Sequence, residues 1–251
     1  MTSDGKMRAD ELLLKQKICE TRSQAKSLIL SGKVFFNKQL IEKPGKIFAE
    51  DSIFEISAMP PFVSRAGEKL EGFLNYFDID VSCKNALDVG ASTGGFTDCL
   101  LHRGVETVTC IDVGHGQLHP KLLNDPRVEN FEKINARNLT PEQVGQKSFE
   151  IIVVDLSFIS LKKVLPKIWD LLEGEGVLIA LIKPQFESTK EEVSRVSGII
   201  KDPTIHKRIV DDIIQFGTLE LAKSSLIGWI ASPIKGGDGN QEFLVGFKKS
   251  T

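Results

Sequence analysis

Short apolar runs punctuate the chain from residue 64 onward, separated by stretches with helical spacing of their apolar residues. The runs "NALDVGA", "TVTCIDVG", "RVENFEK", "FEIIVVDL", "GVLIALIKP", "SSLIGWIASPI" and "EFLVGFKK" predict seven strands. Strands that alternate with helices imply a mainly parallel sheet covered on both faces. The last two strands are joined only by "KGGDGNQ", too short for a crossover, so they form an antiparallel hairpin and the seven-stranded sheet is mixed. The pattern before residue 59 differs. In "CETRSQAKSLILSGKVFFNKQL" Thr21 caps a helix with Gln24 three residues on, Ala25, Leu28 and Ile29 supply its apolar face, and Gly32 ends it. "KVFFNKQLIEKPGKIFAEDSIFEI" then reads as strands punctuated by turns, with Pro44-Gly45 at one of them. The organisation expected is a small α+β module over 1–58, a semi-rigid linker over 59–63 that overlaps "SAMPPF" (57–62), and an α/β domain over 64–251.

The length of 251 residues accommodates this division, and an apolar share of 41% makes disorder the wrong default. No apolar run approaches the roughly 20 residues that span a bilayer. "MTSDGKMRADELLLKQK" also lacks the apolar core of a signal peptide, so a soluble, cytoplasmic protein is expected. Cys19, Cys83, Cys99 and Cys110 form no C-x-x-C pair and read as reduced structural thiols. The net charge of −2 excludes a generically basic nucleic-acid binder. Residues 1–60 carry ten Lys and Arg against eight Asp and Glu, the remainder 22 against 26, so any RNA contact rests on local patches. Arg22 and Lys26 share a helix face that Arg8, Lys33, Lys38 and Lys43 extend; a merely solvated face is the bland alternative.

"DVGASTGGF" follows the first strand of the α/β domain. A dinucleotide turn needs G-x-G-x-x-G and a phosphate loop needs G-K-[ST]; neither is present. Asp88 repels a phosphate but suits an ammonium. Asp112 ends the next strand, 22 residues after Gly90, where a carboxylate accepts hydrogen bonds from ribose hydroxyls. These features favour a phosphate-free nucleoside bearing an amino acid, a description that S-adenosylmethionine fits. The residues expected to hold it are Asp88, Gly90, Ala91, Ser92, Thr93, Gly94, Gly95, Phe96 and Asp112, with Asn135. A turn built only for tight strand-helix packing is the alternative.

Four charged residues fall at or near the strand ends. Asp155 ends "FEIIVVD", Lys183 ends "GVLIALIK", Lys69 lies in "SRAGEKL" ahead of the first sheet strand, and Glu242 begins the last strand. Methyl transfer to a ribose hydroxyl needs that hydroxyl deprotonated and in line with the sulfur-carbon bond. A lysine serves as base when a second cation lowers its pKa, or it stabilises the developing alkoxide while charged. Lys183 is the first choice, with Lys69 and Asp155 orienting it and Glu242 closing the network, and no metal is required. His115 and His119 stand four apart, but Gly114, Gly116 and Pro120 disfavour the helix a zinc pair would need. "KPQF" differs from the [DN]PP[YF] of amino-methyltransferases in its first residue, because a lysine cannot accept hydrogen bonds from an exocyclic amine.

Residues Arg8 to Ile56, with "TRSQAKSLILSGKV", the Asn37 turn, "KP" and Asp51, resemble the S4 RNA-binding module. "VSRAGEKL", "ALDVGASTGGFTDCLL", "DVGHGQL", "DLSFISL", "LIKPQFE" and "SPIKGGDGNQE" together with that module resemble the TlyA family, also called haemolysin A. The α/β domain is similar to the FtsJ methyltransferases, whose Lys-Asp-Lys-Glu tetrad would fall on Lys69, Asp155, Lys183 and Glu242. His115 departs from the aromatic residue expected more often at its position. The resemblance implies a Rossmann-like, S-adenosylmethionine-dependent enzyme that methylates cytidine 2′-hydroxyls in ribosomal RNA of the small or large subunit. It implies RNA contact by Arg8, Arg22, Lys26, Ser64 and Arg65. The rival readings are a catalytically silent RNA-binding factor and a membrane-lytic protein; the second lacks a spanning helix, a long basic amphipathic helix and a secretion signal.

Overall fold

The computed structural model describes residues 5–57, 61–145 and 147–251. Its contacts divide the chain into two compact units, Met1–Pro60 and Pro61–Thr251. Residues 59 and 60 of the expected linker lie outside the described residues. Phe62 and Val63, from the other end of that stretch, pack against the core of the second unit.

The first unit runs β1 (Lys6–Arg8), α1 (Ala9–Lys15), α2 (Arg22–Leu30), β2 (Val34–Phe36), β3 (Gln39–Leu40), β4 (Ile47–Ala49) and β5 (Glu55–Ile56). β1 pairs antiparallel with β4, and β2 lies between β3 and β5. Thr21 and Gln24 form the reciprocal capping box that starts α2. Asn37 and Lys38 both have positive φ, 51° and 66°, the backbone of a two-residue hairpin that turns β2 into β3. Leu12, Leu13, Leu28, Ile29, Val34 and Phe54 meet in one core.

The second unit opens with α3 (Ala66–Tyr76) and continues β6 (Asn85–Val89), α4 (Gly95–His102), β7 (Thr107–Asp112), α5 (Pro120–Leu123), β8 (Val128–Glu132) and β9 (Phe149–Val154). Then follow α6 (Leu165–Trp169), β10 (Leu172–Ile182), α7 (Pro184–Glu187), α8 (Lys190–Arg195), α9 (Pro203–Glu220), β11 (Ser224–Ala231) and β12 (Phe243–Lys249). All seven expected strands are present, in the order β11-β12-β10-β9-β6-β7-β8. β11 and β12 form the predicted antiparallel hairpin, and β12 also inserts antiparallel beside β10.

Two cores sandwich this sheet. Leu70 and Phe73 of α3 with Cys99 and Leu100 of α4 pack on Ile151, Val153, Ile179, Leu181 and Leu244. Ile168 and Trp169 of α6 with Ile209 and Ile213 of α9 pack on Ile152, Val154, Leu178, Ala180 and Val245. Alternate residues of each strand therefore serve alternate faces, as a period of two requires. The register pairs Val89 with Val154, Val154 with Ala180, and Ile182 with Phe243, so the ends of β6, β9 and β10 and the start of β12 share one edge. Strand order reverses between β6 and β9, and ligands of open α/β sheets bind outside such a switch point.

Candidate active site

The glycine turn follows β6 at that switch point. Gly90 has φ +85°, and a Cβ there would collide with the carbonyl oxygen of Asp155. Gly94 has φ +91° and forms the N-cap of α4. Gly95 lies against Ser64 and Ala66, just before and within α3. Gly90→Ala is accordingly expected to cost the second unit about 2 kcal/mol or more, from left-handed backbone strain plus the clash; thermal unfolding of the full chain checks it. An unchanged melting temperature would show that the turn can adopt another path.

The turn and its neighbours enclose a cavity lined by Ser64, Ala66, Asp88, Gly90, Ala91, Ser92, Thr93, Gly95, Phe96 and Asp155. Asp88 is wholly buried in its floor. One carboxylate oxygen, Oδ2, accepts hydrogen bonds from the Thr97 backbone N–H at 3.0 Å and its hydroxyl at 2.6 Å. The other, Oδ1, is buried and has no partner among the described residues. Burial pushes the Asp88 carboxyl up to about 7; the Thr97 hydroxyl opposes the rise and the nearby Asp155 charge adds to it. An unpartnered buried carboxylate oxygen needs a donor, preferably a cation, and the lining contains no Lys or Arg that would attract a phosphate. A glycine-walled cavity with this floor fits the amino-acid end of S-adenosylmethionine.

Asp112, at the end of β7, accepts from the Ser92 N–H at 2.8 Å and the Gly114 N–H at 2.6 Å, and so braces the turn. Asn135 caps a single 3-10 turn, accepting from the Arg137 N–H at 3.0 Å. His115 meets Glu132. His119 caps α5 by accepting from the Lys121 N–H. Among the described residues no cluster of three or more His, Cys, Asp or Glu is placed to hold a metal.

Asp155, Lys183, Lys69 and Glu242 come to this same edge as two ion pairs. Lys183 Nζ lies 2.6 Å from Asp155 Oδ1 and donates a hydrogen bond to Ser157 Oγ at 3.0 Å. Lys69 Nζ donates to Glu242 Oε2 at 2.5 Å, with both side chains at most 10% exposed. Of the two residues expected to orient Lys183, Asp155 pairs with it, and Lys69 pairs with Glu242. The reason is packing, because Phe73, one helical turn after Lys69, seats on Gly246 of β12 where any Cβ would intrude. Strand parity explains the rest. Asp155 and Lys183 continue the alternation of Val153 and Leu181, and Glu242 that of Leu244, onto the face covered by α3.

The residues expected at RNA are dispersed. In the first unit Arg8 forms a bidentate pair with buried Asp10 at 2.9 and 3.0 Å, Arg22 lies 3.4 Å from Asp10 and from Glu11, and Lys26 is exposed on α2. In the second unit Arg65 is exposed at the N-cap of α3, whereas Ser64 lines the cavity. Two site residues escaped the sequence reading. Thr97 is a helix residue whose hydroxyl serves Asp88, and Ser157 lies in the bend after β9, where strand alternation no longer applies.

The FtsJ-like methyltransferase family matches residues 62–249, and the S4 domain matches residues 7–52. The chain is 39% identical over 246 residues to the 16S/23S rRNA (cytidine-2′-O)-methyltransferase TlyA of Mycobacterium tuberculosis, covering 97% of this chain and 90% of that one. It is 42% identical over 246 residues to Hemolysin A of Brachyspira hyodysenteriae, covering 96% and 99%. A solved structure named "Putative hemolysin from Streptococcus thermophilus" superposes with a TM-score of 0.74 at 36% identity, covering 99% of this chain and 90% of its own. Among the described residues no helix is long and apolar enough to cross a membrane. By near full-length identity to TlyA and by a match that takes in both ion pairs and the glycine turn, the chain belongs to the TlyA family of FtsJ-like methyltransferases that carry an S4 domain.

Proposed function

We propose that this protein methylates the 2′-hydroxyl of cytidines in ribosomal RNA of the small or large subunit, with S-adenosylmethionine as methyl donor. The observation that carries the reading is the double placement of Asp155, which lines the cavity and also pairs with Lys183. The cavity for a methyl donor thus adjoins a lysine suited to a reacting hydroxyl. S-adenosylmethionine supplies an electrophilic methyl group on its sulfonium. Asp88 Oδ1 suits its ammonium, the backbone of Gly90 to Gly95 forms the wall, and Asp112 at the end of β7 suits ribose hydroxyls. Asn135 stays in the proposed set, although it is not among the cavity-lining residues and its side-chain oxygen caps a 3-10 turn.

Lys183 takes the proton of the 2′-hydroxyl, or holds the developing alkoxide while charged. Asp155 draws the ammonium by its charge, and the Lys69–Glu242 pair maintains the charge balance at the same sheet edge. The domain assignment proposed is an RNA-binding S4 module over 1–58, a linker over 59–63 and a catalytic domain over 64–251. Arg8, Arg22, Lys26 and Arg65 supply phosphate contacts, while Ser64 acts at the cavity rim. Structured RNA is recognised largely by shape and backbone, which suits a small module with a few exposed cations and a net-acidic remainder. A ribosomal substrate places the protein in the cytoplasm.

The test is methyl incorporation from labelled S-adenosylmethionine into unmodified small and large subunits, wild type against Lys183→Ala. Wild type is expected to label an alkali-resistant nucleotide, and the variant to lose about 10²- to 10⁴-fold in rate while still binding cofactor. Cofactor binding without incorporation into either subunit would overturn the substrate assignment and favour a silent RNA-binding factor.

A further inference from the structure

The loop after β9 and the segment after β10 are joined by three successive contacts. Lys183 reaches Asp155 and Ser157. The rings of Phe186 and Phe158 lie 5.0 Å apart, tilted by 49°. Glu187 accepts from the Ser160 hydroxyl at 2.6 Å through Oε2 and from the Leu161 N–H at 2.7 Å through Oε1. Lys183 is the N-cap of the short helix α7 and Phe186 and Glu187 lie within it, so one short stretch of chain grips the whole opposing loop.

The gripped loop is strained. Phe158 has φ +64° and is 91% exposed, a left-handed conformation that costs a bulky residue about 1 kcal/mol or more. Such a backbone persists only when its surroundings over-determine it, and the two bonds that Glu187 accepts supply that constraint two to three residues further on. Burial raises the Glu187 carboxyl above its ordinary range, against the lowering effect of the Ser160 and Leu161 bonds. The loop that Glu187 holds is the one that brings the exposed Ser157 to Lys183.

An ammonium has three N–H donors. The Ser157 hydroxyl accepts from one of them, and the Asp155 carboxylate lies 2.6 Å from the same nitrogen, so donor capacity remains for an incoming group. The contact with Asp155 Oδ1 is close but lacks hydrogen-bond alignment, so it attracts Lys183 without fixing its direction. The geometry points to Ser157 as a positioning residue that sets the direction of Lys183 Nζ, with Glu187 locking the loop that carries it. This deepens the proposed role of Lys183 and rests on that reading.

Ser157 is exposed, so its truncation removes a hydroxyl without opening a core cavity. The experiment compares the full-length wild type with Ser157→Ala, Ser157→Thr, Glu187→Gln and Lys183→Ala. It measures kcat and KM on ribosomal subunits, and S-adenosylmethionine Kd by calorimetry. Ser157→Ala is expected to lower kcat about ten- to a hundredfold with KM and Kd unchanged, as for one lost hydrogen bond to a charged group. Ser157→Thr, which keeps the hydroxyl, should recover most of the rate. Glu187→Gln, which keeps one of two acceptor bonds, should lower kcat by a smaller factor at the same Kd. Wild-type kcat in Ser157→Ala, or a loss confined to cofactor affinity, would overturn the positioning role while leaving Lys183 in place. Retained turnover in Lys183→Ala would remove the reading on which this inference rests, and the inference with it.

Discussion

Glu242→Ala is expected to unfold the second unit at a temperature roughly 10 °C lower than wild type and to abolish methyl transfer. Removing one partner strands Lys69 as an uncompensated charge whose side chain is 10% exposed, and breaking such a buried pair costs about 3–5 kcal/mol. The informative comparison is the double replacement Lys69→Met with Glu242→Met. Well-packed apolar residues commonly replace a buried ion pair at no loss of stability. The double variant is therefore expected to melt near the wild-type temperature and still transfer no methyl groups. That outcome would assign the pair to function rather than to folding. A double variant as unstable as the single one would show that the pair itself supports the sheet edge, and would weaken its claim to a role in the reaction.

Asp88→Asn is expected to stabilise the cofactor-free protein at pH 8 and to weaken S-adenosylmethionine binding by about tenfold or more. The sign follows from the raised carboxyl. Folded Asp88 titrates at about 7 against an ordinary value of 3.8, so the folded state holds its proton over a range where the unfolded chain has lost it. Its contribution is full below pH about 4, declines as pH rises, and is lost above 7; the whole change is of the order of 4 kcal/mol. Asparagine removes the penalty because it cannot ionise. An ammonium ligand stabilises the ionised form, so wild-type affinity should strengthen between pH 6 and 8 with proton release, and the Asp88→Asn variant should show neither. Calorimetry in buffers of differing ionisation enthalpy measures both quantities. An affinity independent of pH in the wild type would separate Asp88 from the ammonium.

Much of the fold was legible because its signals are local. The capping box of Thr21 and Gln24 and the seven apolar runs need only spacing, and the hairpin needs only the shortness of "KGGDGNQ". The placement of β12 between β10 and β11 was not legible, because a hairpin constrains a strand's partner on one side and leaves the other side open. The same divide runs through the site. Residues at strand ends are predictable from the alternation of the strands, which is why Asp155, Lys183 and Glu242 were marked. Partnership is not: Lys69 goes to Glu242, 173 positions away in sequence, because Phe73 seats on Gly246. Ser64 shows the converse. The resemblance implies RNA contact for it, and the close approach of Gly95 brings it to the cavity wall. Ser157 and Glu187 were passed over because a serine and a glutamate in a loop carry no pattern until the opposing loop is known.

The inward position of β12 also governs the order in which the domain can be completed. β11 is made before β12 yet has no neighbour in the sheet until β12 arrives between it and β10. During synthesis, β10 must therefore stand for a time as a bare sheet edge, with unpaired backbone groups along "VLIALI" open to pairing with another chain. Glu242 arrives with the same strand, so the closing of that edge and the completion of the second ion pair are one event. A chain interrupted between β11 and residue 242 does not yield a weakened enzyme with a shortened rim; it yields a sheet that ends at β10, with β11 unpaired and Lys69 without its partner.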